Sequence, residues 1–281
     1  MPPATDPALP PPHVLEAFGL SGRPEPLAGG QGHSVRVAGA VLKPGADAAE
    51  TDWAAGLMER LQGRRDFRVP RFLRSVGGGH VVEGWSATEF LVGEPGPAGR
   101  WGALLAAGRA FHEALRDVPR PGRLDAHRHP WAVADRLAWG EPTAEAPAVT
   151  PAEIRRLVTR MERLREPVDA RDQLIHGDLT GNVLFAVGRA PAIIDFSPYW
   201  RPVAYADAIV VADGLLHHRA GHGLVDSAVP GAEGAQMLLR ALLFRLGASA
   251  VPAGPGAALP EDEMAGFTRV ADLVERRVRG G

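Results

Sequence analysis

Apolar residues recur along this chain with two periods, and the period changes part-way through. The first third alternates in short β-branched runs broken by glycine. Residues 27–37 and 40–43 predict a hairpin across Ala38-Gly39, entered through a Gly-rich turn. Residues 72–76 and 80–85 predict a second hairpin across Gly77-Gly78-Gly79. Two helices interrupt this region: residues 13–18, stopped by Gly19, and residues 47–61, with Trp53, Leu57, Met58 and Leu61 on one face. Later apolar positions fall mostly three and four apart. They predict helices over 101–115, 131–139, 151–165, 207–218, 233–246 and 261–278. The stripe in 151–165 is Ile154, Leu157, Val158, Met161 and Leu164, with Arg155, Arg156, Arg160 and Arg163 on the solvated side.

The pattern predicts an α+β fold with two lobes. Residues 13–91 form a small N-lobe built on an antiparallel sheet, and residues 92–281 a mostly helical C-lobe. Residues 1–12 are a Pro-rich, extended tail; 93–99 and 251–260 read as Pro/Gly linkers. No internal repeat is visible.

Composition narrows the chemistry. Hydrophobic residues make up 45% of the chain, enough for a sizeable core. The net charge of −2 offers no bulk field for nucleic acid or an acidic membrane, so a nucleic-acid-binding regulator is disfavoured. Cysteine is absent, which excludes disulfides, thiolate metal sites and cysteine nucleophiles. No apolar run approaches a membrane span, and the N-terminus lacks the basic start and apolar stretch of a signal peptide. A soluble cytoplasmic protein is the expectation.

One stretch of the helical half breaks its period. Residues 173–197 read Q-L-I-H-G-D-L-T-G-N-V-L-F-A-V-G-R-A-P-A-I-I-D-F-S. Short apolar strands at 174–175, 183–185 and 192–194 are bounded by Gly and Pro, which predicts a hairpin. That arrangement sets Asp178, Asn182 and Asp195 at neighbouring strand ends. Phosphoryl transfer needs such a group: one carboxylate orients the attacking hydroxyl, while an amide oxygen and a second carboxylate hold magnesium. Composition points the same way. Lys43 is the only lysine and Asn182 the only asparagine in a chain rich in Ala, Gly, Pro and Arg. Drift of that kind keeps a compact ammonium or a neutral amide mainly where arginine, Asp or Ser cannot replace it.

The stretch resembles the catalytic loop and metal-binding strand of the aminoglycoside phosphotransferase and choline kinase group, whose fold is protein-kinase-like. It is close to H-G-D-L-x-x-x-N-V-L followed by I-D-[FW], except that three residues rather than the usual four separate Asp178 from Asn182. Ser197 stands where relatives often carry Gly or an acidic residue. The resemblance implies an ATP- or GTP-dependent, magnesium-requiring transfer to a hydroxyl of a small molecule. It implies Asp178 as catalytic residue, Asn182 and Asp195 as metal ligands, and His176 as packing beneath the loop. Lys43 closes the run V-L-K after the Gly-rich turn containing Gly30 and Gly32 and would hold the phosphates, positioned by Glu50 on the following helix. Backbone groups from Glu89 to Leu91 would meet the adenine edge. Asp207 would brace the loop.

Other residues carry less. Tyr199, Trp200 and Arg201 suit an acceptor pocket or an anchor for the loop equally well. His112 reads as packed. His218 and His222 are four apart, but Gly221 and Gly223 interrupt the helix and disfavour a metal site. A polycationic acceptor would need acids such as Asp213, Asp226, Glu233 or Glu261-Asp262-Glu263 to converge. The alternative to an enzyme is a pseudokinase that binds nucleotide or serves as a scaffold without transfer. The partners expected are nucleotide and a small-molecule acceptor, with no nucleic acid and no membrane.

Overall fold

The computed structural model describes residues 9–27, 33–141, 151–250 and 258–280. Gly30 and Gly32, most of the tail at 1–12 and most of the linker at 251–260 lie outside these residues. The chain divides into two compact units: Met1–Arg100 with Gly181–Asp195, and Trp101–Thr180 with Phe196–Gly281. No described helix is long and apolar enough to cross a membrane.

In chain order the elements begin with α1 (Pro12–Ala17), β1 (Glu25–Pro26), β2 (Val35–Val37), β3 (Ala40–Lys43) and α2 (Ala48–Arg60). Next come β4 (Val81–Val82), β5 (Trp85–Glu89), β6 (Glu94–Pro95) and α3 (Trp101–Ala114). A 3-10 turn at Gly122–Ala126 leads into α4 (Pro130–Trp139) and α5 (Ala152–Glu162). The interrupted stretch gives β7 (Gln173–His176), β8 (Val183–Phe185), β9 (Ala192–Ile193) and β10 (Pro198–Arg201). The chain ends in α6 (Val203–His217), α7 (His222–Ala228), α8 (Gly231–Ala250) and α9 (Glu261–Gly280).

The first unit is built on an antiparallel sheet ordered β1-β2-β3-β5-β4. Val35, Val37, Leu42, Trp85 and Ala87 face one side and pack against Val14, Leu15 and Phe18 of the first helix and its end. Alternation then turns Val41 and Lys43 to the other side, half-buried. The second hairpin differs from the sequence expectation. It joins β4 to β5 through Glu83 and Gly84, with φ of 47° and 77°, the left-handed pair that a two-residue hairpin turn requires. Phe72 contributes only an isolated bridge to Thr88, and the triple glycine makes a loop closed by Ser75 N–H to Gly79 O at 2.8 Å. Glycine density marked the wrong turn, because glutamate at positive φ leaves no compositional trace.

A second sheet of this unit runs β6-β8-β9. Arg68 stitches it in place: its N–H donates to Pro191 O, its carbonyl accepts from Ile193 N–H, and its Nε donates to Ala190 O at 2.9 Å. Arg68 thus holds the return strand through its main chain as well as its side chain.

The second unit is helical. α6 is buried from Tyr205 to Leu215, and α8 buries Leu238, Leu239, Leu242, Leu243, Phe244 and Leu246. Full burial of each such side chain contributes about 1.5–3 kcal/mol. α4 is capped at both ends: His129 Nδ1 accepts from Ala132 N–H, and Gly140 takes φ of 72° at the C-cap. α6 begins at Val203, after Pro202, four residues before the expected start at Asp207. His218 lies past its end and His222 opens α7, so the two histidines do not share a helix face. Among the described residues no group of three or more His, Cys, Asp or Glu is placed to hold a metal.

This unit also has a two-stranded sheet, β7 with β10, pairing His176 with Pro198 and Ile175 with Tyr199. The expected first strand of the stretch therefore pairs with the strand after Asp195, whereas β8 pairs with β9. The ring of Tyr199 lies on Gly177; a Cβ there would fall 2.3 Å from Tyr199 Cδ2. Gly177→Ala must displace a half-buried ring that also packs against Phe244. We expect a loss of about 1–3 kcal/mol, read as a lower urea midpoint with an unchanged m-value.

Candidate active site

In the first unit, three candidates meet. Gly181 takes φ of 84° and donates its N–H to Gly96 O, and the next residue, Asn182, accepts at its carbonyl from Ile194 N–H at 3.0 Å. That bond extends the β8-β9 ladder by one step and sets Asn182 beside Asp195 at the hairpin's open end. Asp195 itself adopts φ of 53°, a left-handed conformation that Asp tolerates better than most side chains. Lys43 Nζ lies 2.5 Å from Asp195 Oδ1, with both side chains partly exposed.

Glu50 is the third residue of α2. Its N–H donates to the Asp47 carboxylate at 2.8 Å, the usual N-cap bond. Lys43 forms an ion pair with Asp195. Glu89 ends β5 and donates its N–H to Arg71 O at 2.8 Å; Leu91 follows in irregular chain.

In the second unit, the H-G-D segment is held from below. His176 is fully buried, and its N–H donates to His112 Nε2 at 3.0 Å. An imidazole nitrogen that accepts carries no proton, so His112 is neutral with its proton on Nδ1. Burial, reinforced by the neighbouring His176, drives its pKa down to about 3. His176 Nδ1 in turn accepts the N–H of Asp178 at 3.2 Å. Gly177 donates its N–H to Ser197 O at 3.0 Å. Asp178 therefore leaves a rigid, buried imidazole pair, with its own side chain 43% exposed.

Arg245 of α8 donates through Nη2 to Asp178 Oδ1 at 2.8 Å. The same guanidinium grips buried Asp213 through Nε at 2.6 Å and Nη2 at 2.7 Å. The sequence pattern predicts a helix over 233–246 and assigns Arg245 no role. The available signal was an arginine, like Arg240, inside an otherwise apolar run.

Arg201 anchors β10. Its Nε and Nη2 bind Asp135, its Nη1 binds Glu141 at 2.6 Å, and the guanidinium lies 4.9 Å from the centre of the Trp139 ring. Burial pushes the Asp135 carboxyl upward in pKa, and Arg201 opposes that shift. Burial likewise raises Tyr199 above the ordinary phenol range. Tyr199, Trp200 and Arg201 border a cleft of about 110 Å³ with Arg120, Asp125 and Glu141. Two of the acids considered for a polycationic acceptor are engaged by arginine: Asp213 by Arg245 and Asp226 by Arg277.

Residues 27–199 match the model of the phosphotransferase enzyme family (APH). The chain belongs to that family. Solved structures show the same fold across the phosphotransferase. It superposes on an aminoglycoside phosphotransferase from Alicyclobacillus acidocaldarius with TM-score 0.63 and 15% identity, covering 98% of this chain and 96% of that one. A microcompartment-associated aminopropanol kinase gives 0.67 and 16%, covering 95% and 96%. A spectinomycin phosphotransferase, solved with ADP and spectinomycin, gives 0.55 and 14%, covering 94% and 96%. No curated protein sequence matches the chain.

Asp207 binds elsewhere in the second unit. Its Oδ2 accepts from Arg109 Nε at 2.7 Å, while buried Oδ1 has no hydrogen-bond partner among the described residues. Burial raises its pKa to about 6, and Arg109 only partly offsets this. A carboxyl with a raised folded pKa binds protons more tightly when folded. Its contribution is therefore present below the unfolded value and lost as pH rises through 6. Relative to Asp207→Asn, the wild type should lose stability between pH 4 and 6, by at most about 3 kcal/mol. Urea unfolding of both proteins at several pH values measures the difference.

Proposed function

We propose that this phosphotransferase moves the terminal phosphoryl group of ATP, with magnesium, to a hydroxyl of a small molecule. The observation that carries this reading is the open end of the β8-β9 hairpin, where Asn182 and Asp195 lie side by side and Lys43 rests against Asp195. A neutral amide oxygen and a carboxylate are the hard donors that magnesium takes. The carboxylate also draws a cation, since an ammonium lies against it. Asn182 and Asp195 would hold the metal, which when bound neutralises charge on the phosphates.

The chain's own residues have distinct tasks. Lys43 binds phosphate oxygens, and Glu50 is the carboxylate assigned to hold it there. Gly30 and Gly32 are the glycines assigned to the phosphates, and the backbone from Glu89 to Leu91 is assigned to the adenine. Asp178, separated from Asn182 by only three residues in sequence, accepts the hydrogen bond of the acceptor hydroxyl and takes its proton as the phosphoryl group transfers. His176 and His112 hold its backbone, and Asp207 supports α6 and α3 from within the core. Catalysis of this kind is positioning and charge neutralisation, with no covalent intermediate on the protein.

Asp178→Asn tests the assignment because it keeps shape and removes the base. ATP turnover should fall at least about 100-fold, with nucleotide affinity changed less than threefold. Turnover within a few-fold of wild type would sink the role given to Asp178.

A further inference from the structure

Arg245 touches Asp178, and the way its guanidinium is held says more than an ion pair serving stability alone would. Its fork closes on Asp213, 4% exposed, through Nε and Nη2. That pair already balances its charge. Burying an arginine and an aspartate together is seldom better than packing apolar groups of the same volume. The neighbouring helix positions confirm the contrast, since Leu242, Leu243, Phe244 and Leu246 are all buried apolar side chains.

What the pair adds is a third contact. Nη2 donates to Asp213 and to Asp178 Oδ1, at 2.8 Å to the latter. The planar guanidinium cannot rotate without breaking the fork, so its Nη2 is a fixed point against which the Asp178 carboxylate is oriented. The backbone of Asp178 is fixed separately by His176 Nδ1. One residue is thus held at its main chain from one side and at its carboxylate from another.

We propose that Arg245 is the positioning residue of the Asp178 carboxylate, with Asp213 locking the guanidinium in place. The inference rests on the assignment of Asp178 to the acceptor hydroxyl. Arg245 acts through Asp178; its contribution is the angle and distance at which that carboxylate meets the acceptor. Misplacement of a reacting group by about 1 Å can lower a rate about 100-fold.

The test uses the full chain and ATP hydrolysis, with water standing in for the acceptor, in wild type, Asp178→Asn, Arg245→Met, Arg245→Lys and Asp213→Asn. Arg245→Met should lower kcat about 30- to 100-fold while the KM for ATP stays within threefold. Arg245→Lys, able to reach Asp178 but not to keep the fork, should retain more turnover than Arg245→Met. Thermal unfolding provides a readout that does not depend on turnover. The effects of Asp178→Asn and Arg245→Lys on Tm should fail to add, by about 2 °C or more, because the two side chains interact. Wild-type kcat in Arg245→Met, or additive Tm shifts, would overturn the proposal. If Asp178→Asn itself kept turnover, the assignment of Asp178 would fail first, and the two failures are therefore distinguishable.

Discussion

The acceptor half of the proposed chemistry depends on a relay of two hydrogen bonds from the main chain to imidazole nitrogens. His112 Nε2 accepts from His176 N–H, and His176 Nδ1 accepts from Asp178 N–H. Each bond needs an unprotonated ring nitrogen, and burial supplies that condition by making charge costly. The aromatic rings of Phe111 and Phe196 close edge-on around His176, and Tyr199 seals Gly177. A catalytic carboxylate on a tight loop would otherwise sample many orientations. Here the backbone of Asp178 is tied to a buried ring at the end of a packed strand.

Charge in the second unit follows a consistent rule: an acid that is buried there faces an arginine. Asp135 faces Arg201, Asp207 faces Arg109, and Asp213 faces Arg245. Asp226, which is exposed, pairs with Arg277 in the same way. Arginine suits this use because it stays ionised and its fork can meet both carboxylate oxygens, as it does at Asp135 and Asp213. The consequence for recognition is specific. Asp213 and Asp226 are already neutralised, so they do not form an acidic surface of the kind a polycationic acceptor would need.

Much of this was legible in the sequence. The Leu174-Ile175 run before H-G-D, the V-L-F strand and the I-I run before Asp195 were readable because each is short, apolar and set among Gly and Pro, and the β8-β9 hairpin formed where expected. The short helix over 131–139 formed as expected, and the apolar stripe of 151–165 supplied its core face. What escaped was set by tertiary partners. The turn at Glu83-Gly84 carries no signature, since only the backbone reveals glutamate at positive φ. The pairing of β7 with β10 joins residues more than twenty positions apart. Arg201 was readable as pocket or anchor, and only Asp135 and Glu141, on another element and its end, supply its ion-pair partners. Arg245 looked like an interruption in a core helix because its two carboxylates lie 32 and 67 residues away.

Asn182 and Asp195 are proposed to form a magnesium-nucleotide site with Lys43. Thermal stability against ATP and ADP, with and without magnesium, in wild type and Asp195→Ala tests it most directly. The account predicts that ATP raises the wild-type Tm more with magnesium than without, and that Asp195→Ala loses the magnesium-dependent part. An equal rise in both proteins regardless of magnesium, or no rise with any nucleotide, would contradict it.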